Sequence, residues 1–133
     1  MRKKRIYAGV AGEPPEGTWS NCLVAGRHVY IAGMTARSAE FDTIVGDNAY
    51  EQSKVIFEKI KALIEAAGGT MDDIVKVNIF LTEIKDRQQV WDARREYFAG
   101  DFPVSTLLEV SNLVHPDMSV EIEAVGYLGA DED

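Results

Sequence analysis

The stretch FPVSTLLEVSNLVHPDMSVEIEAVGYL, residues 102–128, decides the fold of this chain. Pro103 locks its own φ and keeps the preceding residue out of the helical region, so the chain runs extended into a strand expected over Ser105–Ser111. Polar and turn-forming residues around His115 and Pro116 then break the pattern, and a last strand is expected over Ser119–Leu128. Its alternation places Val120, Ile122 and Ala124 on one face, and Glu121, Glu123, Val125 and Tyr127 on the other. A strand that is apolar on one side and part acidic on the other has a core face and a second face that must meet water or another subunit.

Working upstream, Asp73–Thr82 is a β-branched run that reads as a central strand, with Val75, Val77, Ile79 and Leu81 on one face. Asp86 is expected to cap a second helix over Arg87–Ala99, carrying Val90, Ala93, Arg94, Tyr97 and Phe98 and ended by Gly100. A first helix is expected over Asn48–Ala67. Its Ile56, Ile60, Leu63, Ile64 and Ala67 recur at spacings of three and four, Asp47 can cap its start, and Gly68-Gly69 stops it. Short apolar runs at Arg5–Ala8, Asn21–Ala25 and His28–Ala32 read as strands, with a turn through Gly26-Arg27 making a hairpin of the last two. The order β-β-β-α-β-α-β-β describes an α+β layer, one sheet with two helices on one face.

At 133 residues with 46% hydrophobic and 27% charged residues, the chain has the length and balance of one globular domain over 1–133, with fraying expected at 1–4 and 129–133. No apolar run is long enough to span a membrane. The basic opening Arg2-Lys3-Lys4-Arg5 leads into glycines and prolines rather than an apolar signal core, so a cytoplasmic location is expected. A net charge of −8 opposes a nucleic-acid surface, which needs clustered cations. The single cysteine, Cys22, forms no internal disulfide and reads as a buried small hydrophobe. His28 and His115 are separated and lack zinc-site spacing, so no metal is expected. Neither lies near Ser105 or Thr106 to activate a hydroxyl as a nucleophile. No glycine-rich phosphate loop precedes a helix.

Several separated motifs occur in a fixed order: Gly17-Thr18-Trp19-Ser20, Val29-Tyr30-Ile31-Ala32-Gly33-Met34, Leu63-Ile64-Glu65-Ala66-Ala67-Gly68 with Asp73-Ile74-Val75-Lys76, Phe102-Pro103, Glu109-Val110 and Val120-Glu121-Ile122-Glu123-Ala124. Together they resemble, from Gly17 to Tyr127, the Rid (RidA/YjgF) family, also known as endoribonuclease L-PSP. The resemblance implies a chorismate mutase-like fold and a homotrimer in which three sheets form a central barrel with the helices outside. It also implies clefts between adjacent subunits that bind a small-molecule metabolite and hydrolyse imines or enamines without a cofactor.

Carried over residue by residue, the resemblance makes Glu121 the catalytic residue that holds the hydrolytic water, and Gly33 the glycine that lets ligand approach the backbone. Trp19 stands for the family's tyrosine, Ala32 for its serine, Trp91 for its helix asparagine and Leu107 for a common cysteine. Ser105 stands where the family has the arginine that grips a substrate carboxylate, with Thr106 beside it. A hydroxyl cannot replace two charge-assisted hydrogen bonds, so this set favours a larger, less charged ligand than a small 2-imino acid. Arg37, just beyond Gly33-Met34, and Arg94, one turn from Trp91, are the cations placed to restore the charge. The function expected is a deaminase or hydrolase of an imine, enamine or related nitrogenous metabolite. The alternatives are a non-catalytic binding trimer and, further off, a ribonuclease or translation inhibitor.

Overall fold

The computed structural model describes residues 2–130. Its elements are β1 (Lys4–Arg5), β2 (Cys22–Ala25), β3 (His28–Met34), α1 (Ala49–Ala66), β4 (Ile74–Leu81), α2 (Arg87–Arg94), β5 (Val104–Glu109) and β6 (Val120–Tyr127). The strands form one mixed six-stranded sheet in the order β1-β2-β3-β6-β4-β5. Every neighbouring pair is antiparallel except β4 and β5, which run parallel and are joined by the crossover through α2. The α+β layer expected from the sequence is thus the observed one.

Several boundaries differ from expectation, each for a local reason. The first strand pairs Lys4 with Val24 and Arg5 with Leu23, so sheet pairing begins inside the segment expected to fray and ends before Ala8. At the other end Gly129 and Ala130 are held, because the Ala130 amide donates to the Tyr127 carbonyl at 2.9 Å and to Asp73 Oδ1 at 3.0 Å. Met1 and Asp131–Asp133 lie outside the described residues. Asn48, not Asp47, caps α1: its side chain accepts the Glu51 amide at 2.8 Å, and the Glu51 carboxylate in turn accepts the Asp47 amide at 2.8 Å. Gly68 closes the helix with φ +100°, its amide returning to the Glu65 carbonyl.

In β4 the expected run of Val75, Val77, Ile79 and Leu81 on one face is broken at its start. Ile74 opposes Gly126 and Lys76 opposes Val125, so β4 carries one extra residue there. The bulge turns Val75 outward and puts Ile74 in the core with Val77, Ile79 and Leu81. The second helix stops at Arg94 rather than Ala99, and the chain continues in tight turns that bury Phe98 edge-on against Phe57 at 5.8 Å. Asp86 makes no side-chain cap; it accepts from the Gln89 side-chain amide at 3.4 Å instead.

The core lies between the sheet and the helices. Ile56, Phe57, Ile60, Leu63 and Ile64 of α1 and Val90 and Ala93 of α2 pack with Val29, Ile31, Val77, Ile79, Leu81, Val120, Ile122 and Ala124 in one cluster. Each large aliphatic or aromatic side chain buried this way stabilises the fold by about 1.5–3 kcal/mol before entropy is counted. No helix covers the opposite face, where Tyr30, Val104 and Leu108 are 49%, 67% and 42% exposed among Glu121, Glu123 and Thr106.

Candidate functional site

The site is built where β3 leaves its register against β6. Ile31 opposes Ala124 but Met34 opposes Ile122, so Ala32 and Gly33 form a bulge at the strand's end. The bulge brings the Gly33 backbone against the Glu121 carboxyl group. A β-carbon at position 33 would lie 2.9 Å from Glu121 Cδ and nearer still to Oε2, so any other residue there would push the Glu121 carboxyl group out of its place. Glu121 faces away from the core on β6 and is half-buried. Burial first, and then the charge of Glu123, raise its pKa above the ordinary carboxylate value.

A cavity of about 320 Å³ opens over this pair. Trp19, Ala32, Gly33, Arg37 and Glu121, all singled out in the sequence, line it together. The Trp19 indole Nε1 donates to Asn21 Oδ1 at 3.3 Å, and Asn21 is itself held by donating to the Gly12 carbonyl at 2.6 Å. The Arg37 guanidinium lies 5.6 Å from the centre of the Phe41 ring. A shallower hollow of about 390 Å³, walled by Phe80, Val110, Leu113 and Val114, reaches Glu121 from the other side.

Some lining residues were not foreseen. Phe41 sits in the left-handed region at φ 62°, a conformation that nothing in the local sequence signals for a bulky side chain. Lys59 carries a signal in the sequence: it falls on the apolar stripe of α1, three residues after Ile56 and four before Leu63. It is 3% exposed, and its Nζ donates to the Thr35 carbonyl at 2.7 Å and the Arg37 carbonyl at 2.6 Å, tying the segment after β3 to α1. Burial, reinforced by the charge of Arg37, pulls its pKa down to about 8.

Trp91, Ser105, Thr106 and Leu107, expected to contribute to a cleft between subunits, do not line this cavity within one chain. The reason is the strand order. β6 and β4 stand between β3 and β5, which puts the strands about 14 Å apart at the usual spacing. The faces also differ: Ser105 opposes Val77 and Leu107 opposes Ile79 on the helix side, whereas Thr106 opposes Asn78 on the open face, the side that carries Glu121.

At that second location Arg94 reaches across from α2, its Nη1 donating to Ser105 Oγ at 3.0 Å. Its guanidinium lies 5.9 Å from the Phe102 ring centre, and its Nε is buried without a hydrogen-bond partner. Burial, then the neighbouring Arg95, lower the Arg94 pKa. The other singled-out residues lie outside both locations. Cys22 is buried with its thiol pushed up to about 11, His28 packs between Tyr30 and Tyr127, and His115 Nδ1 accepts the Asp117 amide at 3.0 Å.

The geometry defines a class before it defines a family: an α+β protein with a half-buried carboxylate of raised pKa set against a glycine at a sheet bulge, and a part-buried arginine at the far sheet edge. The chain belongs to the family described as endoribonuclease L-PSP, whose model matches residues 11–128. It is 33% identical over 127 residues to a RutC family protein of Pyrococcus abyssi, covering 96% of this chain and 98% of that one. It is 30% identical over 125 residues to a 2-iminobutanoate/2-iminopropanoate deaminase of Dermatophagoides farinae, covering 94% and 97%. The crystal structure of RidA from an Antarctic Psychrobacter superposes with a TM-score of 0.84 at 29% identity, over 94% of this chain and 99% of that one.

Proposed function

We propose that this protein is a hydrolytic deaminase of imines or their enamine tautomers, working in clefts between subunits of a cytoplasmic homotrimer. The observation that carries the reading is Glu121, half-buried with a raised pKa and set against Gly33 on the wall of a half-open cavity. A carboxylate of raised basicity is the group needed to take a proton from water near neutral pH. Similarity to a relative named as an imine deaminase agrees with it.

The reaction uses only water. Glu121 accepts one proton as the water oxygen bonds to the imine carbon, and passes it to the nitrogen, giving a carbinolamine. It then takes the carbinolamine hydroxyl proton and delivers it to the nitrogen as the C–N bond breaks, leaving a carbonyl and ammonia. The imine carbon is already electrophilic, so the step calls for no cofactor or metal. The open face of the sheet, with exposed Tyr30, Val104 and Leu108, supplies the apolar surface for association, and association brings the two separated half-sites of different copies together.

A second reading, a binding trimer without turnover, rests on the apolar character of Trp19, Trp91 and Leu107. A ribonuclease reading has the family's description behind it and the net charge of −8 against it. Ammonia release from freshly generated 2-iminopropanoate and from an aromatic 2-imino acid separates these readings. Wild type is expected to release ammonia, with Glu121→Gln slower by a factor of about 100 or more. Ligand-induced thermal stabilisation without ammonia would favour the binding protein.

A further inference from the structure

The cavity beside Glu121 carries more positive charge than the fold needs there. Arg37 and Lys59 both line it, and among the described residues neither belongs to an ion pair. Lys59 is 3% exposed, so its ammonium is held away from bulk water. A buried charge without a counter-ion is costly unless an anion comes to it. The charged groups that share the cavity with it are Arg37, from the segment after β3, and Glu121, from β6, and Glu121 pairs with neither cation.

Fastening the segment after β3 does not require that charge. Lys59 Nζ donates to the Thr35 and Arg37 carbonyls. Gln52, earlier on the same helix and equally buried, ties down two carbonyls with a neutral amide: its Nε2 donates to Gly46 at 3.2 Å and to Asp117 at 2.9 Å. An ammonium supplies two things that an amide does not, a full positive charge and a third N–H, and that third donor has no acceptor among the described residues. Arg37 supplies the complement. Lys59 holds its carbonyl, and its guanidinium lies over the Phe41 ring, which leaves the in-plane N–H fork free. A fork beside a point charge is a donor set for an oxyanion.

We propose that Arg37 and Lys59 form an oxyanion site in the wall of the Glu121 cavity, which takes the acidic tail of the molecule bound there, a carboxylate remote from the atoms that meet Glu121. On the deaminase reading, on which this rests for the reaction alone, the substrates are imines that carry such a tail. The sequence favoured a larger, less charged ligand; the site keeps the size and reverses the charge. Binding has a proton signature. Burial and the charge of Arg37 hold Lys59 at a pKa of about 8, and an anion settling on it raises that value, so binding near pH 8 takes up protons.

The test is calorimetric titration of the purified assembly at pH 8, in two buffers of different ionisation enthalpy, with 2-oxoglutarate, 2-oxopentanoate and sulfate. The two oxo acids differ only in having a carboxylate or a methyl group at the far end. Wild type is expected to bind 2-oxoglutarate at least about tenfold more tightly than 2-oxopentanoate, with an uptake of protons that 2-oxopentanoate does not cause. Sulfate is expected to compete with 2-oxoglutarate. Arg37→Gln is expected to remove the preference, and Lys59→Met to remove the proton uptake with it. Should Lys59→Met fail to fold, Arg37→Gln and the wild-type proton uptake carry the comparison. Sulfate binding with no preference for 2-oxoglutarate would make this a site for free inorganic anions and overturn the acidic-tail assignment. Equal affinity for the two oxo acids without sulfate binding, or a preference lost in Arg94→Ala and kept in Arg37→Gln, overturns the proposal. An Arg37-dependent preference without ammonia release from any imine would overturn the deaminase reading alone, whereas turnover indifferent to an acidic tail and to Arg37 would overturn this inference alone.

Discussion

At the scale of single residues the chemistry turns on Glu121 and the glycine that makes room for it. Holding a carboxylate half-buried beside Glu123 raises its folded-state pKa above the ordinary value of 4.5. The sign follows from proton linkage. The native state binds the proton more tightly than the unfolded chain, so the contribution to stability is full below pH 4.5 and is lost as pH rises through the raised value. At neutral pH the protein therefore keeps Glu121 charged at some cost. Glu121→Gln, uncharged at every pH, is expected to melt at a higher temperature than wild type at pH 7, with the gap closing as the pH is lowered below 4.5. Equal melting temperatures across that range would mean that Glu121 is fully solvated. The alternating acidic face that carries Glu121 was legible as a local pattern, whereas the parts assigned to Glu121 and Gly33 were implied by the family resemblance. The partnership of Arg94 with Ser105 was not legible, since it joins a helix to an adjacent strand through a hydrogen bond that no spacing specifies.

At the scale of elements, the site depends on how the segment after β3 is fastened. Lys59 donates to two of its carbonyls from within α1, and the Val45 amide donates to the Ala36 carbonyl at 2.8 Å just beyond. Lys59→Met keeps the bulk but leaves both carbonyls without their donor, a loss of about 1–3 kcal/mol. The expected result is faster hydrogen exchange at the Val45 amide with reduced activity. Because Lys59 has a folded pKa of about 8, below its usual 10.5, the unfolded chain binds more protons in that interval. Wild-type stability should therefore gain between pH 8 and 10.5, and Lys59→Met should lose that gain. The elements themselves were mostly legible, since the periods of α1, β4 and β6 are strong. The bulges were not: an extra residue at Val75 reverses the inside and outside of what precedes it, yet leaves the alternation on either side intact. Asn48 rather than Asp47 takes the cap because its side chain is the one that accepts the Glu51 amide, while the Glu51 carboxylate accepts the amide of Asp47.

At the scale of the whole molecule, sheet order separates the functional groups that the sequence suggested would act together. Glu121, Gly33 and Trp19 gather at one end of β3, Ser105 and Arg94 at the far edge, and no bending of a packed sheet brings them within reach. On the account proposed here the reaction belongs to the assembly, with the carboxylate of one copy facing the guanidinium of the next across a cleft. On the same account the open face of the sheet, with exposed Tyr30, Val104 and Leu108, is the surface through which the copies would associate. The most direct measurement is ammonia release from 2-iminopropanoate by assemblies co-expressed from Glu121→Gln and Arg94→Ala chains, set against each variant alone. The account predicts that mixed assemblies recover a substantial part of wild-type activity, because some clefts then pair an intact Glu121 with an intact Arg94. Mixed assemblies no more active than the average of the two variants would contradict a site shared between subunits.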